Sequence, residues 1–187
     1  MNKLVSNETL KAYMDRNEKM NKHQDTDEGD RLFISKVTAV SEQIDNLHVK
    51  ATVGNFVIEN DGPKDLGGSG SVPGPMQMFL ASLANCLEIT ALLYLSFSKV
   101  EVKSINVKVE ATYDKRSAFD PKKEPFPGFY DIKYIWYIET EENLIKVDRI
   151  LKKAEDICPV KGTCNKYHEF PRKIQLVKKD IAHNEEC

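Results

Sequence analysis

The sequence predicts an α+β fold, and three observations carry that expectation. Stretches of period-two alternation come in hairpin-length groups on both sides of one long apolar segment. An amphipathic stretch with helical period, residues 142–157, follows the second group. No internal repeat and no strand–glycine–helix fingerprint for a nucleotide interrupts this order. The expected sequence of elements is (α)βββ–α–ββ–α–β, with strands and helices segregated rather than regularly alternating.

Residues 1–30 are polar and charged, with weak helical spacing at Leu4, Leu10, Tyr13 and Met14. They read as a loosely docked N-terminal helical extension, with HQDTDEGD as a turn or linker before the main domain. Residues 31–40 are rich in strand formers. Residues 47–53 place Leu47, Val49, Ala51 and Val53 on one face and His48, Lys50 and Thr52 on the other. A third short strand is expected from Phe56 to Glu59. The loop NDGPKDLGGSGSVPGP follows, and its glycines and prolines forbid regular structure while fixing turns. Pro75 suits the first turn of a helix.

Residues 76–98, MQMFLASLANCLEITALLYLSFS, are long and apolar enough to cross a bilayer. Gln77, Asn85 and Glu88 lie within them, however, and a carboxylate at mid-span costs at least ~2.5 kcal/mol. A buried core helix is the expectation, with no membrane partner. Beyond it, Ile105, Val107, Val109, Ala111 and Tyr113 alternate along one strand. Tyr130, Ile132, Tyr134, Trp136 and Ile138 mark one face of the next. Leu144, Val147, Ile150, Leu151, Ala154 and Ile157 form a helical stripe that Cys158 closes, and Pro159 is expected to stop that helix. A last strand is expected at residues 173–179.

The chain has 187 residues, 41% of them hydrophobic and 30% charged, enough for one sizeable core. Lys plus Arg number 27 and Asp plus Glu 29, for a net charge of −2. That balance offers no electrostatic case for nucleic acid. The N-terminus lacks the apolar core of a secretory signal, so a cytoplasmic setting is expected. There, Cys86, Cys158, Cys164 and Cys187 point to redox, catalytic or metal chemistry rather than structural disulfides.

Cys86 sits inside the apolar helix, where a free cysteine ordinarily packs as a small hydrophobe. To react it must become a thiolate, and a helix dipole that fades after one turn cannot supply this at mid-helix. Activation has to come from tertiary neighbours. Glu88 is two residues away and faces elsewhere, so it is expected to hold the helix to a neighbour. Cys158 ends a helix, whose carboxyl end disfavours an anion and keeps the thiol protonated. That suits a resolving cysteine, the thiol that condenses with an oxidised partner. The pattern Cys158-x5-Cys164-x3-His168, with His183 and Cys187 near the end, is too loosely spaced for zinc. No metal and no cofactor are expected.

The stretch GNFVIENDGPKDLGGSGSVPGPMQMFLASLANCLEIT resembles the central signature of the OsmC/Ohr family, and AEDICPV resembles its second cysteine signature. The resemblance covers roughly residues 31–178 and sets the main domain at 31–187. It implies antiparallel sheets wrapped around a long central apolar helix in an intertwined homodimer. It further implies a cysteine-based peroxidase acting on organic hydroperoxides. Carried over by position, Cys86 is the peroxidatic thiol, Cys158 the resolving thiol, and Asp65 stands where peroxidase members carry a glutamate that orients an arginine. The resetting partner is an external dithiol. One departure stands out: no arginine occurs between positions 34 and 76. The nearest cations are Lys36, His48, Lys50 and Lys64, with Arg31 upstream and Arg116 in a later loop. Lysine is a poorer substitute where a forked donor is needed. The alternative reading is a non-enzymatic dimeric thiol sensor or a binder of small apolar ligands.

Overall fold

The computed structural model describes residues 4–118, 127–166 and 170–172. The strand expected at 173–179 lies outside them, as do His168, His183 and Cys187. Two helices come first. Helix α1, Asn7–His23, starts at Ser6, whose side chain accepts the Thr9 N–H at 3.1 Å. Its Tyr13 ring meets Phe97 at 5.2 Å between centroids, which docks it on the far end of the central helix.

The expected linker keeps a turn at residues 24–26, and its second half opens helix α2, Asp27–Phe33. Thr26 caps it by accepting the Gly29 N–H at 3.1 Å, and Asp27, Glu28 and Asp30 favour the positive end of its dipole. The strand signal at 31–40 is accordingly displaced. Strand β1 is Ala39–Asp45, followed by β2, His48–Val53, and β3, Phe56–Asn60. The three form an antiparallel meander in the order β1-β2-β3, with Ala51 opposite Ser41 on one side and Ile58 on the other.

No residue of this sheet is buried, and Phe56 is 74% exposed. Its apolar residues have the strand period that the sequence shows, but a single chain leaves them without cover.

The loop after β3 contains one short turn, Lys64–Leu66. It ends at Gly67 with φ of 88°, a conformation that side chains resist. Gly68 follows because a Cβ there would sit 1.9 Å from the Gly62 carbonyl oxygen. Helix α3, Pro75–Phe97, then starts with Pro75 in its first turn, while the Gln77 side chain accepts the Gly74 N–H at 2.7 Å. Among the described residues it is the one helix long and apolar enough to cross a membrane.

It packs instead under β4, Ser104–Thr112, and β5, Tyr130–Glu139, and against α4, Leu144–Asp156, and α5, Pro159–Cys164. Strands β4 and β5 are antiparallel, with Val107 opposite Trp136 and Val109 opposite Tyr134. The main core joins Ala91 and Leu95 of α3 to Val100, Val102 and Ile105, and to Val147, Ile150, Leu151 and Ala154 of α4.

Helix α3 is not buried all round, as the sequence alone had suggested. Leu83, Leu87, Thr90, Ala91 and Leu95 are buried, while Ala81, Ser82, Asn85 and Ile89 on the opposite stripe are exposed. A helix apolar on both faces needs two covers, and one chain supplies one.

Candidate dithiol site

A second, smaller core cluster lies beside the main one. Leu83 and Leu87 of α3 close around Cys158, with Cys86, Val107, Val109, Tyr134, Trp136 and Val160 packed against them. Cys86 lies three residues after Leu83 and four before Thr90, both buried, so the helical period turns it toward this cluster. The Thr90 hydroxyl donates to the Cys86 and Leu87 carbonyls at 3.0 and 2.9 Å, tying that turn of helix together. Cys158 arrives from the other direction, at the junction between α4 and α5.

The two sulfurs lie 3.2 Å apart, and Cys158 donates to Cys86. Both are free thiols. Cys158 is 1% exposed, whereas Cys86 is half-buried. The pair is therefore asymmetric: one cysteine is partly exposed and the other is sealed.

Burial is the largest cause pushing the Cys158 thiol above its ordinary value, and the sulfur of Cys86 adds to it. The backbone N–H groups of Lys161 and Val160 pull the other way. The sequence suggested the carboxyl end of a helix as the cause. That is incomplete, because α4 stops at Asp156, before Pro159 as expected, but Pro159 also opens α5, with Cys158 as its N-cap residue. The α5 amides favour an anion, and burial outweighs them.

Tyr134 and Trp136 form the wall of this cluster on β5, edge to face with centroids 6.5 Å apart. The Trp136 indole N–H donates to the Glu155 carboxylate at 2.9 Å. The Tyr134 hydroxyl is pushed up to about 12, chiefly by burial and next by its hydrogen bond to Glu155. Sequence reasoning saw Tyr134 and Trp136 only as a strand face and missed Glu155. Its spacing, three residues before Cys158, was the available signal.

Asp65 lies apart from the thiols, in the exposed turn after β3. Its partner is Lys115, whose Nζ is 2.7 Å away. Lys115 holds the Asp65 carboxyl below the usual carboxylate range by its hydrogen bond and its charge. Lys115 was not among the cations that the sequence put forward. Of those, His48 and Lys50 pair with Glu59 and Glu42 across the first sheet, and Arg116 pairs with Asp114.

From Lys115 an aromatic series leads to α3. Tyr113 meets Phe129 at 5.6 Å and Phe129 meets Phe79 at 5.9 Å, and Phe79 is about two helical turns before Cys86.

Asp61, also missed, shapes the loop. It is 3% exposed and accepts from the Ser69 N–H at 3.0 Å, the Ser69 hydroxyl at 2.5 Å and the Ser71 hydroxyl at 3.4 Å. Glu88 and Asn85 find no side-chain partner among the described residues, so the expectation that Glu88 ties α3 to a neighbour is unmet within one chain. Cys164 is exposed and free at the end of α5. The described residues contain no group of three or more His, Cys, Asp or Glu arranged to hold a metal.

An α+β chain with two antiparallel sheets, a long apolar helix and two contacting thiols defines a class of small cysteine proteins. The sequence model for OsmC-like protein matches residues 68–168. The chain belongs to the OsmC-like family.

Solved structures share the fold. An OsmC-like protein from Mycoplasma pneumoniae superposes with a TM-score of 0.59 at 19% identity, covering 70% of this chain and 88% of that one. A putative osmotic stress induced and detoxification response protein from Psychrobacter arcticus gives 0.55 at 19%, covering 70% and 90%. An organic hydroperoxide resistance protein OsmC from Legionella pneumophila, described as a predicted redox protein, gives 0.51 at 23%, covering 70% and 89%. No curated protein matches the chain.

Proposed function

We propose that this protein is a thiol-dependent reductase of organic hydroperoxides, with Cys86 as the peroxidatic and Cys158 as the resolving cysteine. The carrying observation is the 3.2 Å contact between a half-buried and a sealed sulfur. The name of the Legionella pneumophila neighbour, an organic hydroperoxide resistance protein, supports the substrate class.

In the first step the Cys86 thiolate attacks the distal peroxide oxygen. The O–O bond breaks, Cys86 becomes a sulfenic acid, and the alkoxide leaves to be protonated to an alcohol. In the second step Cys158 attacks the Cys86 sulfur. An S–S bond forms, the S–O bond breaks, and hydroxide leaves with the thiol proton as water. An external dithiol then returns both cysteines to thiols by exchange and is itself oxidised to a disulfide. The apolar walls from Leu83, Leu87 and Val109 favour alkyl peroxides over hydrogen peroxide.

In this reading Lys115, held by Asp65, is the cation that stands in for the missing strand arginine. A lysine offers one point charge instead of a fork, which favours the second reading: a dimeric thiol sensor that forms the same disulfide without rapid turnover.

The working unit is a homodimer, in which a second copy covers the open stripe of α3 and the bare β1-β2-β3 sheet. Residues 1–30 act as an extension to this unit, and free thiols suit a cytoplasmic setting.

The test is consumption of cumene hydroperoxide by purified protein with dithiothreitol. Cys86→Ser abolishes it, and Cys158→Ser allows one turnover and leaves a trappable sulfenic acid. Equal, slow consumption by wild type and Cys86→Ser rejects the enzymatic reading.

A further inference from the structure

We propose that Glu155 is the positioning residue of the sealed thiol: its carboxylate ties Trp136 and Tyr134 of β5 to the last turn of α4 and thereby fixes where Cys158 points. The proposal rests on the reading of Cys86 and Cys158 as a redox pair.

Glu155 acts on Cys158 by two routes. Its backbone carbonyl accepts the Cys158 N–H at 3.4 Å, which sets the turn that ends α4. Its side chain accepts the Trp136 indole N–H at 2.9 Å, and its charge is near enough to help raise the Tyr134 hydroxyl. The two rings stand on one face of β5 and pack against the same cluster as Cys158. The sheet wall and the cysteine-bearing turn are thus joined through one carboxylate.

Trp136 and Tyr134 are half-buried, and where their polar hydrogens turn from water a carboxylate has lone pairs to accept them. Glu155 makes no ion pair among the described residues, and the Trp136 N–H is the hydrogen-bond donor its carboxylate meets there. With its charge drawn toward the rings, it serves as a brace rather than as a base for the thiol. Disulfide formation needs the attacking sulfur aligned with the bond it breaks. A misplacement on the order of 1 Å can cost about a hundredfold in rate.

The experiment uses the reduced full chain and one equivalent of diamide. Diamide takes two electrons and two protons from the thiols and becomes a hydrazine, so no peroxidase activity is required. Acid quenching, alkylation and peptide mass spectrometry follow the Cys86–Cys158 disulfide. Fluorescence follows Trp136, the only tryptophan of the chain.

Glu155→Ala is expected to slow disulfide formation about tenfold or more and to shift Trp136 emission. Glu155→Gln, which keeps an oxygen acceptor, recovers most of the rate, and Tyr134→Phe falls between. A folded Glu155→Ala that forms the disulfide at the wild-type rate overturns the proposal. If that variant does not fold, Trp136→Phe decides: it keeps a ring but removes the N–H, and an unchanged rate overturns the proposal equally. A wild-type protein that forms no Cys86–Cys158 disulfide at all sinks the redox reading itself, a separate result.

Discussion

Cys158 reaches across 72 positions of sequence to donate its thiol hydrogen to Cys86 at 3.2 Å. The donor is the sulfur without access to solvent, so the pair has a direction built into its burial. Burial is the largest cause holding the Cys158 thiol above its ordinary value.

Oxidation of this pair closes a long loop without moving the helices far. Chain-entropy reasoning gives a gain of up to about 4 kcal/mol for a loop of this size. Diamide-treated protein is therefore expected to unfold at higher denaturant concentration than reduced protein. Cys158→Ser should show no such difference. A midpoint unchanged by oxidation, with the disulfide verified by mass spectrometry, contradicts the expectation.

The Asp65–Lys115 pair is exposed on both sides, and exposed pairs add little to stability. Asp65→Asn and Lys115→Met are expected to leave the melting temperature nearly unchanged. In the proposed function they reduce peroxide consumption, with Lys115→Arg retaining or raising it because a forked donor fits a carboxylate better. Steady-state rates at low and high salt check this. Unaltered kinetics in Lys115→Met exclude Lys115 from the site.

Asp61 supplies an acid-sensitive element of stability. The Ser69 hydroxyl, foremost, and the amides of Ser71, Gly62 and Ser69 hold its carboxyl below the ordinary value of 3.8, against a desolvation cost. A carboxyl depressed in the folded state binds its proton less readily there than in the unfolded chain. Its contribution is complete above the unfolded value and is lost as pH falls from there through the folded one. Denaturation midpoints should therefore decline below about pH 4, and Asp61→Asn should flatten that decline while lowering stability at neutral pH.

The open stripe of α3 gives a prediction about assembly. Ile89 is 59% exposed on the helix whose other face packs into the core. Light scattering on the wild type is expected to give twice the 21.3 kDa chain mass. Ile89→Glu, harmless to a single chain at so exposed a position, should give the single mass. A wild type that is monomeric at micromolar concentration removes the homodimer from the proposal.

Much of the fold was legible because period is a local property. The alternation in Leu47–Val53 and Ile105–Tyr113 and the stripe Leu144–Ala154 each reappear as β2, β4 and α4. The misreading at the N-terminus has a local cause too. Phe33 and Ile34 favour strands, but the Thr26 cap and the acidic first turn of α2 carry the helix through Phe33. The stop at Pro159 holds, since α4 ends at Asp156; what the sequence leaves unsaid is that the same proline opens the first turn of α5.

The candidate site divides in the same way. That Cys86 lies within a helix and Cys158 at a helix end followed from neighbouring residues. Which of the two is sealed, and which outlying groups join them, did not. Lys115 finds Asp65 across 50 positions and Trp136 finds Glu155 across 19, and neither pairing leaves a mark on the residues between.

The sequence by itself determined the strand and helix periods, the two cysteines and the glycine-bound loop, because backbone geometry and hydrophobic spacing are set by near neighbours. Only the tertiary structure decided the thiol contact, its asymmetry, the pairing of Lys115 with Asp65 and that of Trp136 with Glu155. Those depend on how α3, β5 and α4 stack, and that stacking is fixed by burial of the shared core rather than by any single segment.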